Sequence, residues 1–396
     1  MEKLDINLGQ LFSSLSLALD IAENRHFDHS RRVAYMSNSI AQDMGLHTKV
    51  CADIYYSALI HDVGMNGQMS NYTIFEIHNN AVLKKEHCHL GAEIADGLPI
   101  SKDCVEYIRY HHEEWNGAGV YGLSKNDIPI GSQIIHIADY VDIYFGDMLK
   151  DRKNIDKIKK WLDVSKNKVF CAEAVDSLLN IIEKDKFWLD LSFYNLDQII
   201  KANSPDYSTL IGIVELEKIA KSFSRLIDSK SKFTYRHSKG LVDISSAIVD
   251  YIGYDDITSK KLQIAAYLHD LGKLAVPNNI LEKPDKLDSE EFNIIKTHPY
   301  YTKLILRQVK GLEDIAGWAG NHHEKLNGKG YPEGLTYAEI TREDQIISIS
   351  DIYQALIDDR PYRKGMAHKD AMDILKTMVK KDYVSNNIVR ILEKVI

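Results

Sequence analysis

Cysteine is scarce in this chain. The four present, Cys51, Cys88, Cys104 and Cys171, lie in the first half without any CxxC spacing. That excludes a disulfide scaffold and a thiolate zinc site as the organising chemistry. No apolar run approaches the ~18 residues that a membrane span needs. The first residues, MEKLDINLGQ, carry acids where a secretory signal would be basic and then apolar, so the cytosol is the expected compartment. An excess of basic residues is also missing. With 49 Lys and Arg against 57 Asp and Glu, the formal net charge is −8 and the pI about 6.1. No broad basic face is available for long nucleic acid, which leaves room for a small anionic ligand in a local pocket. What remains is ordinary globular material, 44% hydrophobic and 27% charged over 396 residues. By a rule of about 150 residues per domain, that is two to three domains. The abundant chemistry is imidazole: 16 histidines, several beside acids or other histidines, the usual donors for first-row metal ions.

The chain reads twice. His29-Ser30 opens a segment in which Val33, Met36, Ile40 and Met44 recur at helical spacing and stop at Gly45. An offset of 208 residues gives His237-Ser238, then Leu241, Ile244, Ile248 and Ile252, stopping at Gly253. The same offset carries His61-Asp62-Val63-Gly64 onto His269-Asp270-Leu271-Gly272. An offset of 211 then takes His87 to His298 and His111-His112-Glu113 to His322-His323-Glu324, and 212 takes Asp139 to Asp351. Small loop insertions explain the drift, and the pattern is a duplication. Helical periods dominate and no alternating strands stand out. Asn203-Ser204-Pro205 is a turn signal. The reading is an all-α protein of two duplicated helical-bundle domains, 1–203 and 204–396.

In the second copy, His269-Asp270 closes the apolar helix LQIAAYLHDLG, a costly place for polar groups unless they are paired or metal-bound. A lone buried histidine would be a hydrogen-bonded core residue. Here it comes with His237, His298, His322, His323 and Asp351, each on or beside a predicted helix and able to converge in a bundle core. Six or seven N/O donors with a carboxylate able to bridge suit two metal ions better than one tetrahedral zinc.

These residues, with Gly272-Lys273, His298-Pro299 and Asn327-Gly328-Lys329-Gly330-Tyr331-Pro332, resemble the HD-GYP group of HD phosphohydrolases over about residues 233 to 365. Members of that group hydrolyse cyclic di-GMP and in some cases the mixed GMP–AMP cyclic dinucleotide. The resemblance implies two HD-type helical bundles. It implies metal ligands His237, His269, Asp270, His298, His322, His323 and Asp351, with Asp270 as the bridge, and hydroxide between the ions as the nucleophile. Iron or manganese is expected, and the same donors would accept zinc, nickel or cobalt. Lys273 would contact the scissile phosphate. Gly328 and Gly330 would form a tight turn, Tyr331 and Pro332 would line the pocket, and Arg360 and Arg363 would bind phosphate oxygens. Phe233 stands where some members carry a glutamate linked to a third metal, so two ions are expected. Thr341 and Gln345 replace the usual proline and arginine, which puts the local loop geometry in question.

The first copy repeats the donors as His29, His61, Asp62, His87, His111, His112 and Asp139, but not the phosphate clamp. Met65 replaces the lysine, the loop is reduced to Gly117-Ala118-Gly119-Val120-Tyr121-Gly122, and Met148 and Asp151 stand in for the arginines. A second metal-binding domain, degenerate for catalysis and regulatory or structural, is expected there. His26, His47, His78, His136 and His368 have no partners in the repeat and read as surface or hydrogen-bonded residues. His89 and Cys88 offer an alternative to His87 by a short slip in register. The leading function is a cyclic-dinucleotide phosphodiesterase. A non-hydrolytic dinucleotide receptor is the first alternative, and a di-iron redox or oxygen-sensing role for the first half is the second. Helical domains of this kind are compatible with a homodimer.

Overall fold

In a computed structural model of the chain, every residue is described except 1–4, 23–27, 66–68, 70, 71, 73, 193–195, 203, 206–208, 230–236, 284 and 360–363. At 21, 22, 74, 75, 150, 197, 201, 229 and 237 the backbone alone is described. The chain divides into two compact units, Asn7–Leu210 and Ile211–Ile396, the latter with the chain's first residues. The expected seam at Asn203 lies outside the described residues; the division falls at Leu210. Both units are helical, and among the described residues the only sheet is a two-stranded ribbon of Ile6–Asn7 and Leu210–Ile211. No described helix is long and apolar enough to cross a membrane.

Each unit surrounds its histidines with helices whose starts are written in the sequence. In the first, the helices His29–Asp43, Thr48–Leu59, Ala81–Asp96, Lys102–Tyr110 and Ile130–Phe145 pack together. Asn80 caps the third by accepting from the Val82 and Leu83 amides, and Ser101 caps the fourth through Cys104. In the second unit the corresponding helices are His237–Ile252, Asp256–Leu268, His298–Leu306, Glu313–Gly320 and Arg342–Ile357. Asp255 caps Asp256–Leu268 through the Ile257 and Thr258 amides.

The departures at Thr341 and Gln345 do no local damage. Thr341 forms a capping box with Asp344 at the start of the helix that carries Asp351. Gln345 accepts the Ser385 amide through Oε1 at 2.8 Å. Its counterpart in the first unit, Gln133, accepts the Cys171 amide at 2.9 Å.

Glycine decides how closely the helices approach. A Cβ on Gly272 would lie 2.0 Å from the His298 carbonyl oxygen, and one on Gly64 would lie 2.1 Å from that of His87. The glycine of each His-Asp-x-Gly segment therefore lets the helix bearing the next histidine pack directly on the turn.

Candidate metal centres

Four of the histidines stand just past a helix end, where carbonyls lack intrahelical partners. His269 Nδ1 lies 2.8 Å from the Ala266 carbonyl and His322 Nδ1 2.6 Å from that of Ala319. In the first unit His61 Nδ1 is 2.9 Å from Ala58 O and His111 Nδ1 2.6 Å from Ile108 O. His298 follows the short helix Ser289–Ile295 and uses the Ile295 carbonyl in the same way, at 2.7 Å. A carbonyl only accepts, so each Nδ1 carries a proton, and in the neutral ring Nε2 is left as a lone pair.

Those lone pairs converge. His298 Nε2 and His322 Nε2 are 3.1 Å apart, and His87 Nε2 and His111 Nε2 are 3.0 Å apart. In the His298–His322 pair both nitrogens are bare, and at that distance in a dry core they repel unless a cation lies between or beside them. A carbonyl behind each ring is the usual support of a metal-bound imidazole. Asp270 completes the arrangement, with Oδ2 3.1 Å from His269 Nε2 and Oδ1 3.3 Å from His298 Nε2. Asp62 repeats it: Oδ2 is 3.1 Å from His61 and Oδ1 3.3 Å from His87. One carboxylate facing two different imidazoles has the orientation of a bridge. Burial alone would raise Asp270, but His269 and Lys273 hold it well below the ordinary carboxylate range. Burial pushes His298 down to about 3 and His322 to about 4, so both are neutral imidazoles at physiological pH.

The donor set fits divalent metal. In the second unit His298, His322 and His323 form one group of mutually close donors and His269, Asp270 and His322 another. Asp351 Oδ1 is 3.8 Å from His269 Nε2. The side chain of His237 lies outside the described residues, as do Arg360, Arg363 and Phe233. In the first unit His29, His61 and Asp139 form one group and His87, Cys88, His111 and His112 another.

Around the second centre, Lys273 Nζ donates to Asp270 Oδ2. Tyr331 lies against His323, ring centroids 4.9 Å apart. Its loop hangs on Glu324, a buried carboxylate accepting the backbone amides of Glu333, Gly334 and Leu335 at 2.7, 3.1 and 3.0 Å. Gly330 lies so close to that residue that a Cβ would stand 2.4 Å from Glu324 Cα. Gly328 has φ 75° and the Tyr331–Pro332 bond is cis. Buried Lys303 ties the loop to the helix bundle, donating to Asn321 Oδ1 at 2.9 Å and Glu333 Oε2 at 2.8 Å. The Glu of HHE was visible as a motif, but its anchoring role was not.

The first centre differs on that side. Glu113 still anchors its loop, accepting the Tyr121 and Leu123 amides at 2.7 and 2.6 Å. Tyr121, however, packs on Tyr110 and lies beneath Lys85. Asp151 pairs with Lys153 at 2.6 Å. His29 Nδ1 is 2.6 Å from Asp142 Oδ2, and Arg32 grips the same carboxylate at 2.6 and 2.9 Å. In the second unit Gln354 and Gly240 stand at the positions that correspond to Asp142 and Arg32.

Three histidines need correction or comment. His78, expected at the surface or in an ordinary hydrogen bond, is buried beside His112 and Asp139. His136 is buried too, its Nδ1 3.1 Å from the Glu113 carbonyl. His368 meets the Tyr353 hydroxyl at 2.8 Å. His26 lies outside the described residues.

Two family models, each described as an HD domain, match residues 26–144 and 221–387. The 3′3′-cGAMP-specific phosphodiesterase 1 of Vibrio cholerae is 29% identical, over 94% of this chain and 88% of its own length. The 3′3′-cGAMP-specific phosphodiesterase 3 of the same organism is 27% identical, over 93% of this chain and 90% of its own. A crystal structure of a cyclic GMP-AMP specific phosphodiesterase of V. cholerae, V-cGAP3, matches with a TM-score of 0.72 at 24% identity, covering 99% of this chain and 98% of that one. That last likeness is one of fold.

Proposed function

The chain is a tandem HD-domain protein, and from that premise we propose that its second half is a metal-dependent phosphodiesterase opening a cyclic dinucleotide to a linear product in the cytoplasm. Relatives that match almost end to end are named for 3′3′-cGAMP; the mixed GMP–AMP ring is therefore the first substrate to test, ahead of cyclic di-GMP. The observation that carries the reading is the convergence of His269, Asp270, His298 and His322, with Lys273 on the same carboxylate.

Residues 204–396 are the catalytic domain in this reading. Two divalent ions, manganese or iron, would be held by His269, Asp270, His298, His322, His323 and Asp351, with His237 by resemblance. Such a pair supplies positive charge for the phosphoryl oxygens and an acidified water near neutral pH. The chain's own residues do the rest. Helix-end carbonyls hold the imidazoles in one tautomer, so no reorganisation is needed when the site fills. Asp270 divides its oxygens between the two groups of histidines. Lys273 brings a cation to the same edge, able to pass from Asp270 to a phosphate oxygen. Tyr331, fixed by the Glu324-anchored loop, offers a face to a base or ribose. Arg360 and Arg363 would hold the outer phosphate oxygens.

The first half, residues 1–203, keeps metal donors without that clamp and does not turn over substrate. The test is hydrolysis of the three purine cyclic dinucleotides by full-length protein of measured manganese or ferrous content. Asp270→Ala should abolish turnover and Asp62→Ala should leave most of it. Activity that survives Asp270→Ala, or that disappears only with Asp62, overturns the assignment.

A further inference from the structure

His78 is not explained by the duplication. It ends the short helix Ile74–His78 and is 4% exposed. Its ring centroid is 4.7 Å from that of His112, and its Nδ1 is 3.8 Å from Asp139 Oδ2. The second half has no histidine between Gly272 and His298 from which an equivalent could come. There, the ring standing against the matching His323 is Tyr331.

His112 supplies the independent observation. It is fully buried, and among the described residues neither of its ring nitrogens has a hydrogen-bond partner. Leaving both nitrogens of a buried imidazole unpaired is costly, and a cation removes that cost. Asp139 is equally informative. Its Oδ1 faces His29 and His61 at 3.4 and 3.7 Å, while its Oδ2 faces His78. Among the described residues neither oxygen has a hydrogen-bond partner at ordinary distance, the nearest nitrogens being these imidazoles. The carboxylate looks two ways, like Asp62 beside it. Donor atoms of His78, His112 and Asp139 lie within 4.8 Å of one another. Rings of Tyr140 and His136 wall the spot, at 5.3 Å from His78 and 5.7 Å from His112 respectively.

We propose that the first half binds a divalent first-row cation at His78, His112 and Asp139, a position its C-terminal repeat lacks. Two imidazoles and one carboxylate suit zinc or ferrous iron, with water completing the coordination. The ion would also occupy this centre from within: His78 stands against His112, whereas the ring against the matching His323 is that of Tyr331.

The experiment is zinc content of the full-length chain after loading with Zn(II) alone and gel filtration. Three proteins are compared: wild type, His78→Phe, which keeps a ring of similar bulk without a donor, and His78→Asp, which restores one. His78→Phe should hold one zinc fewer per chain and His78→Asp should regain it. Dinucleotide hydrolysis by the second half, measured separately with manganese, should be unchanged in both, so failure here is distinct from failure of the catalytic assignment. Equal zinc content in wild type and His78→Phe overturns the proposal. So does a loss that His78→Asp does not reverse, because that marks a packing defect and not a lost ligand.

Discussion

Lys273 Nζ lies 2.5 Å from Asp270 Oδ2, on the carboxylate toward which His269 and His298 also point. The lysine thus has two jobs open to it: neutralising Asp270 before substrate arrives, and meeting phosphate afterwards. Only the second concerns the transition state. Lys273→Met, which installs the residue found at the matching position 65, should lower kcat by about 10²- to 10³-fold, the usual cost of losing one donor to developing charge. Bound metal should change little. Steady-state kinetics beside metal analysis checks this; loss of metal in step with rate would make Lys273 a support of the centre instead.

Glu324 offers a separable test of the loop. One buried carboxylate accepts three backbone amides from Glu333 to Leu335, so Glu324→Ala strands all three donors. We expect a loss of about 1–3 kcal/mol in stability. KM for the cyclic dinucleotide should rise about tenfold or more, since roughly 1.4 kcal/mol of lost positioning is a factor of ten. Metal content should hold. An unchanged KM would mean that Tyr331 is not positioned through this carboxylate.

In the proposed centres protons and metal would compete for the same nitrogens. Burial pushes His298 to about 3 and His322 and His111 to about 4, against 6.5 in the unfolded chain. The unfolded state then binds protons first on acidification. Stability from these groups is fully present above about 6.5 and is lost as pH falls through the folded values. His61 runs the other way: burial opposes its charge, but Asp62 and Asp139 raise it to about 9. Its contribution is full below about 6.5 and is lost as pH rises toward 9. Chelator-treated protein should therefore melt highest near neutrality and lose melting temperature steadily from about pH 6.5 to about 4. Divalent metal should raise the curve at neutral pH and do little in acid, where the ligands are protonated. A chelated protein that gains stability on acidification would contradict this.

The sequence made the duplication legible because histidines at helix ends stay in register with the apolar period on either side. His61-Asp62 and His269-Asp270 could be paired by offset alone, and the donors they meet followed in order. The supporting contacts were harder to see. The carbonyls of Ala58, Ala266 and Ala319 that set each tautomer belong to residues with no chemistry of their own. Asp142 was in principle findable, three residues after Asp139 and so on the same helical face, but nothing in the sequence says that Arg32 meets it. His78 was invisible because its role depends on where a short helix falls between two loops. The phosphate clamp could be named only through resemblance.

The first half allows a final test of what separates a metal centre from an enzyme. Its Asp62 meets His61 and His87 at the distances at which Asp270 meets His269 and His298, and Met65 stands at the position of Lys273. If the missing lysine alone had silenced it, Met65→Lys would restore turnover. The surroundings argue otherwise. His78 covers His112, Tyr121 is committed to Tyr110 and Lys85, and Asp151 is paired with Lys153 where an arginine would be needed. Each missing phosphate contact costs about 10²- to 10³-fold, so replacing one of several leaves the site far below detection. In an Asp270→Asn background, which silences the second half, Met65→Lys should show no hydrolysis of any purine cyclic dinucleotide above the Asp270→Asn control in a discontinuous chromatographic assay. A measurable rate would mean that the first centre is open to substrate, and that the lysine was all it lacked.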